Sequence, residues 1–510
     1  MFNGNRSISD RPAMQQGSTG NARQGFLLMH MMFFLSVACI LIVMPFIELA
    51  GIRTGGSGKA IPPRRVYIDI LCALFTVGLL LALTGNPVVS LLVAVLFEVI
   101  FVSVSNIKYK ILGEPLLFSD LFVARSFLQH PKFYLFSIPW YARVFVVVFL
   151  LFLVVGAFFF VVPDIRPHLV GIAMTVLGLL GIHALPAARW VPTPALEQDL
   201  QRFGLPGITF LYWRQWKASP IPPAVPPLPG SAAYDAVVVI QCESFADPAC
   251  LPLPASVGPV AMPGLTQARR WAVQQGELQV SGFGAYTMRS EYGVLYGRTE
   301  AELGFRAFDP FLTAMQESSY ALPNRLKGAG YESVFVHPHD IRFYNRNLLM
   351  PACGFGRMIG PEAYGHTASA DMPYVSDMAL GKSIETLVRS ASGPIMVHAV
   401  TMENHGPWAA SSQPAQGLAN YLRHLGNSDR MLLDLMHALS GMDRNILLVF
   451  YGDHRPSIPG IFTPGAARDV PYVAVSLPAG RPDDQAASPP VALSPAGLHA
   501  LIVQLAVKPA

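Results

Sequence analysis

The long apolar runs of this 510-residue chain all lie before residue 186, and that asymmetry constrains its fold more than any other feature. Runs at about Phe26–Leu49, Val66–Leu83, Val88–Val104, Tyr141–Val162 and Leu169–Leu185 approach or exceed the roughly 20 residues that cross a bilayer. No run of 18 apolar residues follows Leu185. The pattern predicts an integral membrane protein with five spans followed by a globular half. Composition agrees: 13% of residues are charged, against about 25% in an ordinary soluble domain. The first run is too long for a removable signal peptide and precedes no small-residue cleavage site. Gly85-Asn86-Pro87 reads as a tight turn between the second and third spans. A net charge of +4, with no aromatic-interleaved basic clusters, gives no sign of a nucleic-acid partner. The five cysteines form no CxxC pair, and Cys242 and Cys250 read as two free thiols.

Four regions follow along the chain. Residues 1–24 form an N-terminal tail, and 25–188 the five-span domain. Within it, 106–140 is apolar but interrupted by charges such as Lys108, Lys110 and Asp120, as in a helix lying on a membrane surface. Residues 189–231 form a juxtamembrane segment. There Trp190, Tyr212, Trp213 and Trp216 suit an interfacial aromatic belt, and the proline run at 220–229 reads as a stiff spacer. Residues 232–510 are the globular domain. Five spans put the two ends on opposite sides. With the N-terminus inside, Arg53, Lys59, Arg64, Arg65, Lys108, Lys110, Arg125, Lys132 and Arg143 stay outside, so the positive-inside count favours the reverse orientation.

The globular half alternates β-branched runs with helical patterns. Val237–Ile240, Ser333–Val336, Ile395–Val400, Asn445–Tyr451 and Val470–Ser476 read as buried strands. Tyr320–Ala329, Met378–Ala391 and Tyr421–Leu439 read as helices. Such alternation predicts a mostly parallel sheet with helices on both faces. In open α/β sheets ligands bind beyond the carboxyl ends of the strands. Polar residues gather there: Glu243 after the first run, His337, His339 and Asp340 after the second, Glu403, Asn404 and His405 after the third, Asp453 and His454 after the fourth. Any one of these carboxylates reads equally well as a helix cap. The four endings together point to a site.

Several motifs, in order, carry a resemblance: Val239-Ile240-Gln241-Cys242-Glu243-Ser244-Phe245, Gly284-Ala285-Tyr286-Thr287-Met288-Arg289-Ser290-Glu291-Tyr292, Phe343-Tyr344-Asn345-Arg346, Glu403-Asn404-His405 and Tyr451-Gly452-Asp453-His454. The chain resembles the lipoteichoic acid synthase family of phosphoglycerol transferases, within the alkaline phosphatase and sulfatase superfamily. That resemblance implies an α/β alkaline-phosphatase-like domain with a mostly parallel sheet, lying outside the cytoplasm on the face of the inner membrane. It makes Thr287 the nucleophile, with Glu243, Asp453, His454 and the Thr287 oxygen holding one divalent cation, Mn²⁺ first, Mg²⁺ and Zn²⁺ also suited. It makes Arg346, His337 and His405 substrate contacts, with His405 the general acid. Tyr344 stands where the family carries Trp, against the glycerol, and Asp340 sits beside the departing His339 near the acceptor or head group. The activity implied is transfer of a glycerol-phosphate group from a phosphatidylglycerol-like membrane lipid, through a phospho-threonine, to a cell-envelope glycan or polymer. Alternatives on the same site are a membrane-anchored phosphodiesterase or sulfatase-like hydrolase, and a phosphoethanolamine transferase. The latter typically carries more metal ligands and several disulfides. A protein that only binds a glycan has no need of a metal-held hydroxyl. Cys353-Gly354-Phe355-Gly356-Arg357 lacks the proline of a sulfatase nucleophile motif and follows the wrong segment.

Overall fold

A computed structural model describes residues 62–122, 144, 147–148, 159–369, 372–409, 412–465, 467–478 and 488–509. The described residues form two compact units. The first holds 62–104, 159–186 and 196–208; the second holds 105–122, 187–195 and the described residues from 209 onward.

Among the described residues, three helices are long and apolar enough to cross a membrane: α1 (Pro63–Thr84), α2 (Pro87–Leu112) and α3 (Ile165–Ala184). They match the second, third and fifth expected spans. The first expected span, Phe26–Leu49, lies outside the described residues, as does most of the fourth, Tyr141–Val162. Local chemistry sets the boundaries. Gly85 ends α1 in the left-handed conformation (φ 63°), its N–H donating to Leu81 O at 2.8 Å. The Asn86 carboxamide oxygen accepts from Val88 N and Val89 N, starting α2. Asp164 caps α3 through Arg166 N. α1 and α3 run antiparallel and meet through glycines, the small-residue packing that lets membrane helices approach closely. A Cβ on Gly171 would lie 2.2 Å from Ala82 N, and one on Gly178 2.7 Å from Phe75 N. Leu83, Leu92, Phe97, Leu177 and Leu180 stay exposed on the outside of these helices, as lipid-facing residues do.

Three expectations for the flanking segments change. α2 continues to Leu112, past the expected end at Val104, so Lys108 and Lys110 belong to its last turns and do not open a surface helix. Lys108 Nζ is met by Asp120 (2.6 and 2.8 Å) and by Pro115 O (3.0 Å), where the chain doubles back after Gly113. The rest of the expected interfacial loop, 123–140, lies outside the described residues. Helix α4 (Leu196–Ala218) breaks at Gly204 and Pro206, and beyond the break Tyr212 is fully buried. Its ring packs on Phe305 (5.0 Å) and Phe308 (5.3 Å), so it anchors protein to protein instead of joining an interfacial belt. The proline run is likewise tied down. Leu228 N donates to Arg325 O (2.9 Å), Val225 N to Ser319 Oγ (3.1 Å), and Tyr320 Oη to Pro223 O (3.0 Å). It is a strap along the domain surface.

The second unit is built on a seven-stranded sheet: β1 (Ala236–Cys242), β2 (Ala272–Gln279), β3 (Glu332–Val336), β4 (Arg357–Ile359), β5 (Ile395–Val400), β6 (Ile446–Gly452) and β7 (Asp469–Leu477), in the order β2-β7-β6-β1-β5-β3-β4. All pairings from β6 to β4 are parallel; β7 runs antiparallel to both β6 and β2. The side-chain alternation of β1 divides the core. Val238 and Ile240 face helices α5 (Pro263–Trp271), α8 (Asp377–Ser390) and α9 (Pro414–Ser440). Val237 and Val239 face α6 (Thr287–Tyr296), α7 (Arg346–Ala352) and α10 (Pro495–Ala506). Burial on both faces explains why the central strands read as continuous apolar runs.

The glycine contact between α1 and α3 is open to test. Gly171→Ile should weaken the helix pair by about 1–3 kcal/mol or more through overpacking. This would show as a lowered unfolding temperature of the detergent-solubilised chain; an unchanged temperature would contradict the close approach.

Candidate active site

Strand register assembles the centre of the site. β1 and β6 are neighbouring parallel strands with Cys242 opposite Gly452. The next residues, Glu243 and Asp453, therefore leave the sheet side by side at its carboxyl edge, one strand spacing of about 4.8 Å apart. His454 follows directly. Candidate ligand atoms of Glu243, Asp453 and His454 all lie within 4.8 Å of one another, and all three residues are buried. His454 Nε2 lies 3.5 Å from Glu243 Oε1 and 3.4 Å from Asp453 Oδ2. Gly452 is required here: a Cβ would sit 2.0 Å from Phe245 O.

The donor chemistry of this corner fits a divalent cation. Asp453 Oδ1 accepts from Ser244 N and His454 N, both at 2.8 Å. Its Oδ2 is buried with no hydrogen-bond donor among the described residues. His454 Nδ1 lies 3.1 Å from Arg455 O, a carbonyl that accepts from it, and Nε2 is the ring nitrogen that faces the carboxylates. Two carboxylates facing each other in a buried pocket repel unless a proton or a cation lies between them. Burial, with Asp453 next to it, pushes the Glu243 carboxyl up to about 8. Two hard oxygen ligands and one imidazole suit Mn²⁺, Mg²⁺ or Zn²⁺.

Thr287 is the first residue of α6, and its Oγ1 lies 3.3 Å from His454 Nε2. The hydroxyl thus stands at the cation corner and at a helix N-terminus, where backbone N–H groups favour an anion. Ser290 Oγ donates to Asp453 O (2.6 Å), fastening α6 to the end of β6. Among the described residues, four that are not glycine have positive φ: Ser244 (52°), Tyr286 (75°), Tyr344 (58°) and Asn345 (55°). They flank Glu243, Thr287 and Arg346. Bulky residues hold this conformation only where their surroundings impose it, and such strain concentrates at functional sites.

Arg346 is 2% exposed, and its Nε and Nη2 bind the two carboxylate oxygens of Glu291. Nη1 lies 3.4 Å from His337 Nε2, and the guanidinium sits 5.1 Å from the Tyr344 ring centre. The partner of Arg346 is thus Glu291, while Asp340 pairs with the exposed Arg342 at 2.6 Å. His337 Nδ1 is 3.1 Å from Val400 O. Burial, then the Arg346 charge, holds His337 well below the usual imidazole range. His339 is brought down to about 4 by burial and by His405. Tyr374 links the group, its ring 5.8 Å from His339 and 5.6 Å from His405. His405 is exposed, with Nδ1 2.6 Å from Gly406 O. Glu403 turns away. It accepts from Asp377 N (2.7 Å) and Asn427 Nδ2 (2.5 Å), pinning the start of α8 to α9.

Sequence reasoning singled out Glu243, Thr287, Asp453 and His454, and the structure brings them together. It missed three supporting residues. Glu291 holds Arg346. Ser244 Oγ donates to Glu243 Oε1 (2.9 Å), and Thr401 Oγ1 accepts from Glu243 N (3.0 Å). Glu291 and Ser244 stood inside quoted motifs, which was their only signal; Thr401 carried none. Cys353 is buried, with Tyr296 Oη 2.9 Å from its sulfur and burial raising its thiol to about 12, an inert setting. Cys242 and Cys250 are both free.

Known proteins resemble this chain in sequence and in fold. Residues 235–494 match the sulfatase family. The chain is 30% identical over 457 residues to the capsular polysaccharide biosynthesis protein RkpI of Rhizobium meliloti (strain 1021), covering 82% of this chain and 83% of that one. Among solved structures, the integral membrane lipooligosaccharide phosphoethanolamine transferase A of Neisseria meningitidis is similar across 93% of this chain and 95% of its own, with TM-score 0.53 and 13% identity. The Streptococcus pyogenes phosphoglycerol transferase GacH, in complex with sn-glycerol-1-phosphate, covers 57% of this chain and 78% of its own, with TM-score 0.42 and 16% identity. The likeness to the Neisseria enzyme extends over both the apolar helices and the sheet domain, a correspondence of fold.

The corner makes a pH prediction. Without a cation, folding favours the protonated form of Glu243, whose ordinary value of 4.5 rises to about 8. Apo stability from this group is therefore greatest below its unfolded value and is lost as pH rises toward 8. A bound cation reverses that preference. The rise in unfolding temperature on adding Mn²⁺ should grow between pH 6 and pH 8 and vanish in Asp453→Asn; an increment that is equal at both pH values would contradict the assignment.

Proposed function

The chain belongs to the sulfatase family of the alkaline phosphatase superfamily, and on that premise we propose that it is a membrane-held phosphoglycerol transferase acting outside the cytoplasm. One observation carries the reading: a threonine hydroxyl at a helix N-terminus, 3.3 Å from the imidazole of a buried Glu–Asp–His corner. Glu243, Asp453 and His454 would hold a single divalent ion, Mn²⁺ by preference. When bound, that ion would act as a Lewis acid that lowers the Thr287 pKa and neutralises charge on the phosphoryl oxygens.

The remaining steps belong to the chain's own residues. Thr287 Oγ1, its proton given up to solvent, attacks the phosphorus of a phosphatidylglycerol-like lipid as the alkoxide, and the bond to the diacylglycerol oxygen breaks. His405, on the open side of the pocket, gives that oxygen its proton. Nη1 of Arg346, the edge not taken by Glu291, reaches a phosphoryl oxygen. His337 stays neutral beside it, so its Nε2 takes part as an acceptor. The product is a glycerophosphoryl ester of Thr287. An acceptor hydroxyl then attacks the same phosphorus and loses its proton to His405, and Thr287 is released. Tyr344, ahead of Arg346, packs on the glycerol, and Asp340 with His339 borders the acceptor side.

The acceptor is a cell-envelope polysaccharide. The similarity to a capsular polysaccharide biosynthesis protein over most of both chains supports this choice. The apolar helices would keep the site beside the lipid head groups, raising the effective donor concentration without any added contact.

The test is the mass of the Thr287 peptide after the full-length protein is incubated with Mn²⁺ and mixed phosphatidylglycerol and phosphatidylethanolamine. A glycerophosphoryl adduct is expected on Thr287 and none in Thr287→Ala. An adduct elsewhere, or an ethanolamine phosphate taken from mixed lipid, would overturn the phosphoglycerol reading.

A further inference from the structure

Arg289, two residues beyond Thr287, is 9% exposed and leads outside the site described above. Its guanidinium is held on both prongs by Glu114: Nη1 to Oε1 at 2.6 Å and Nη2 to Oε2 at 2.9 Å. Nε and Nη2 also donate to Phe308 O, at 3.2 and 3.1 Å. Glu114 is itself 6% exposed and stands 175 positions earlier in the chain. It lies in the segment that follows the apolar stretch of α2, and this end of α2 and that segment belong to the same compact unit as the sheet.

The segment is fastened to the loops around the site at more than one point. Ile111 O accepts from Ser457 Oγ at 3.0 Å, three residues after His454. Gly113, in the left-handed conformation (φ 75°), comes so close to Pro464 that a Cβ would be 2.9 Å from the proline ring. Tyr286 lies in the middle of these contacts. The Arg289 guanidinium sits 3.9 Å from its ring centre and Lys108 Nζ 5.7 Å. Tyr286 is the residue that takes φ 75° immediately before Thr287. A tyrosine keeps that backbone only when its ring is trapped, and the residues trapping it come from the end of α2 and from the pair Arg289–Glu114.

We propose that Glu114 is a positioning residue for Thr287. The juxtamembrane segment, through Glu114, Arg289 and the Tyr286 ring, fixes the turn that aims the Thr287 hydroxyl at the Glu243–Asp453–His454 corner. The inference rests on Thr287 being the nucleophile. It means that the active unit starts at the end of α2 and not at the proline strap, so residues 105–114 and the nucleophile turn act together. A pair that only stabilises the domain would cost folding and cation binding together; a positioning pair costs the rate of attack at a given occupancy.

The experiment uses the detergent-solubilised full chain with Mn²⁺ and bis(p-nitrophenyl) phosphate, a soluble diester that reports attack whichever lipid the cell supplies. Glu114→Gln should lower kcat about 100-fold, as a misplaced reacting group does, while KM and bound Mn²⁺ stay within about twofold of wild type. Glu114→Asp, which keeps the charge, should recover part of the loss. If Glu114→Gln does not fold, Arg289→Lys carries the same expectation, because it keeps the charge and loses the two-pronged contact. A kcat within about twofold of wild type, or a loss that only mirrors lost Mn²⁺, overturns the inference. With Thr287→Ala inactive, such a result overturns this inference alone. Thr287→Ala at wild-type turnover overturns the nucleophile reading and this inference with it.

Discussion

The in-register parallel pairing of β1 with β6 is the constraint on which the rest of the structure depends. Because Cys242 stands opposite Gly452, the following residues must put two carboxylates side by side at the sheet edge. A shift of one residue would send one of them to the opposite face. The arrangement is held by burial of both strands on both faces and by Gly452, where any side chain would strike Phe245 O. The core therefore does more than stabilise the domain: it sets the spacing of a charged site that the sheet alone could not tolerate.

Two like charges at that spacing need compensation. The backbone supplies part of it through Ser244 N and His454 N, and Asp453 Oδ2, with no hydrogen-bond donor among the described residues, marks where more is required. The left-handed residues at 244, 286 and 344–345 are the local cost of aiming Glu243, Thr287 and Arg346 into one pocket. Buried ion pairs, Arg346–Glu291 and Arg289–Glu114, brace two of these turns. Removing one partner of such a pair leaves a stranded charge, which is why they define a geometry better than they add stability.

Much of the domain was legible in the sequence because parallel strands buried on both faces read as unbroken β-branched runs. Strand β2, with Gln274, Gln275 and Glu277, lacks that signature, since its pairing with β7 puts it at the edge of the sheet. The three-residue β4 is too short to leave a pattern. Polar residues after four of the strands marked the candidate site, since a carboxyl-edge position is set by the strand before it. What no local pattern could show was long-range partnership. Glu291 for Arg346, Glu114 for Arg289 and the burial of Tyr212 depend on segments far apart in the chain. Periodicity located the apolar helices, but the end of α2 slid past the first lysines, because Asp120 waits for Lys108 after the turn.

The most direct test of the account is anomalous diffraction from crystals of the protein soaked in Mn²⁺. The account requires one strong peak per chain, within coordination distance of Glu243, Asp453 and His454 and adjacent to Thr287 Oγ1. A peak that avoids that corner, or a corner that stays empty while Mn²⁺ orders elsewhere, would contradict it.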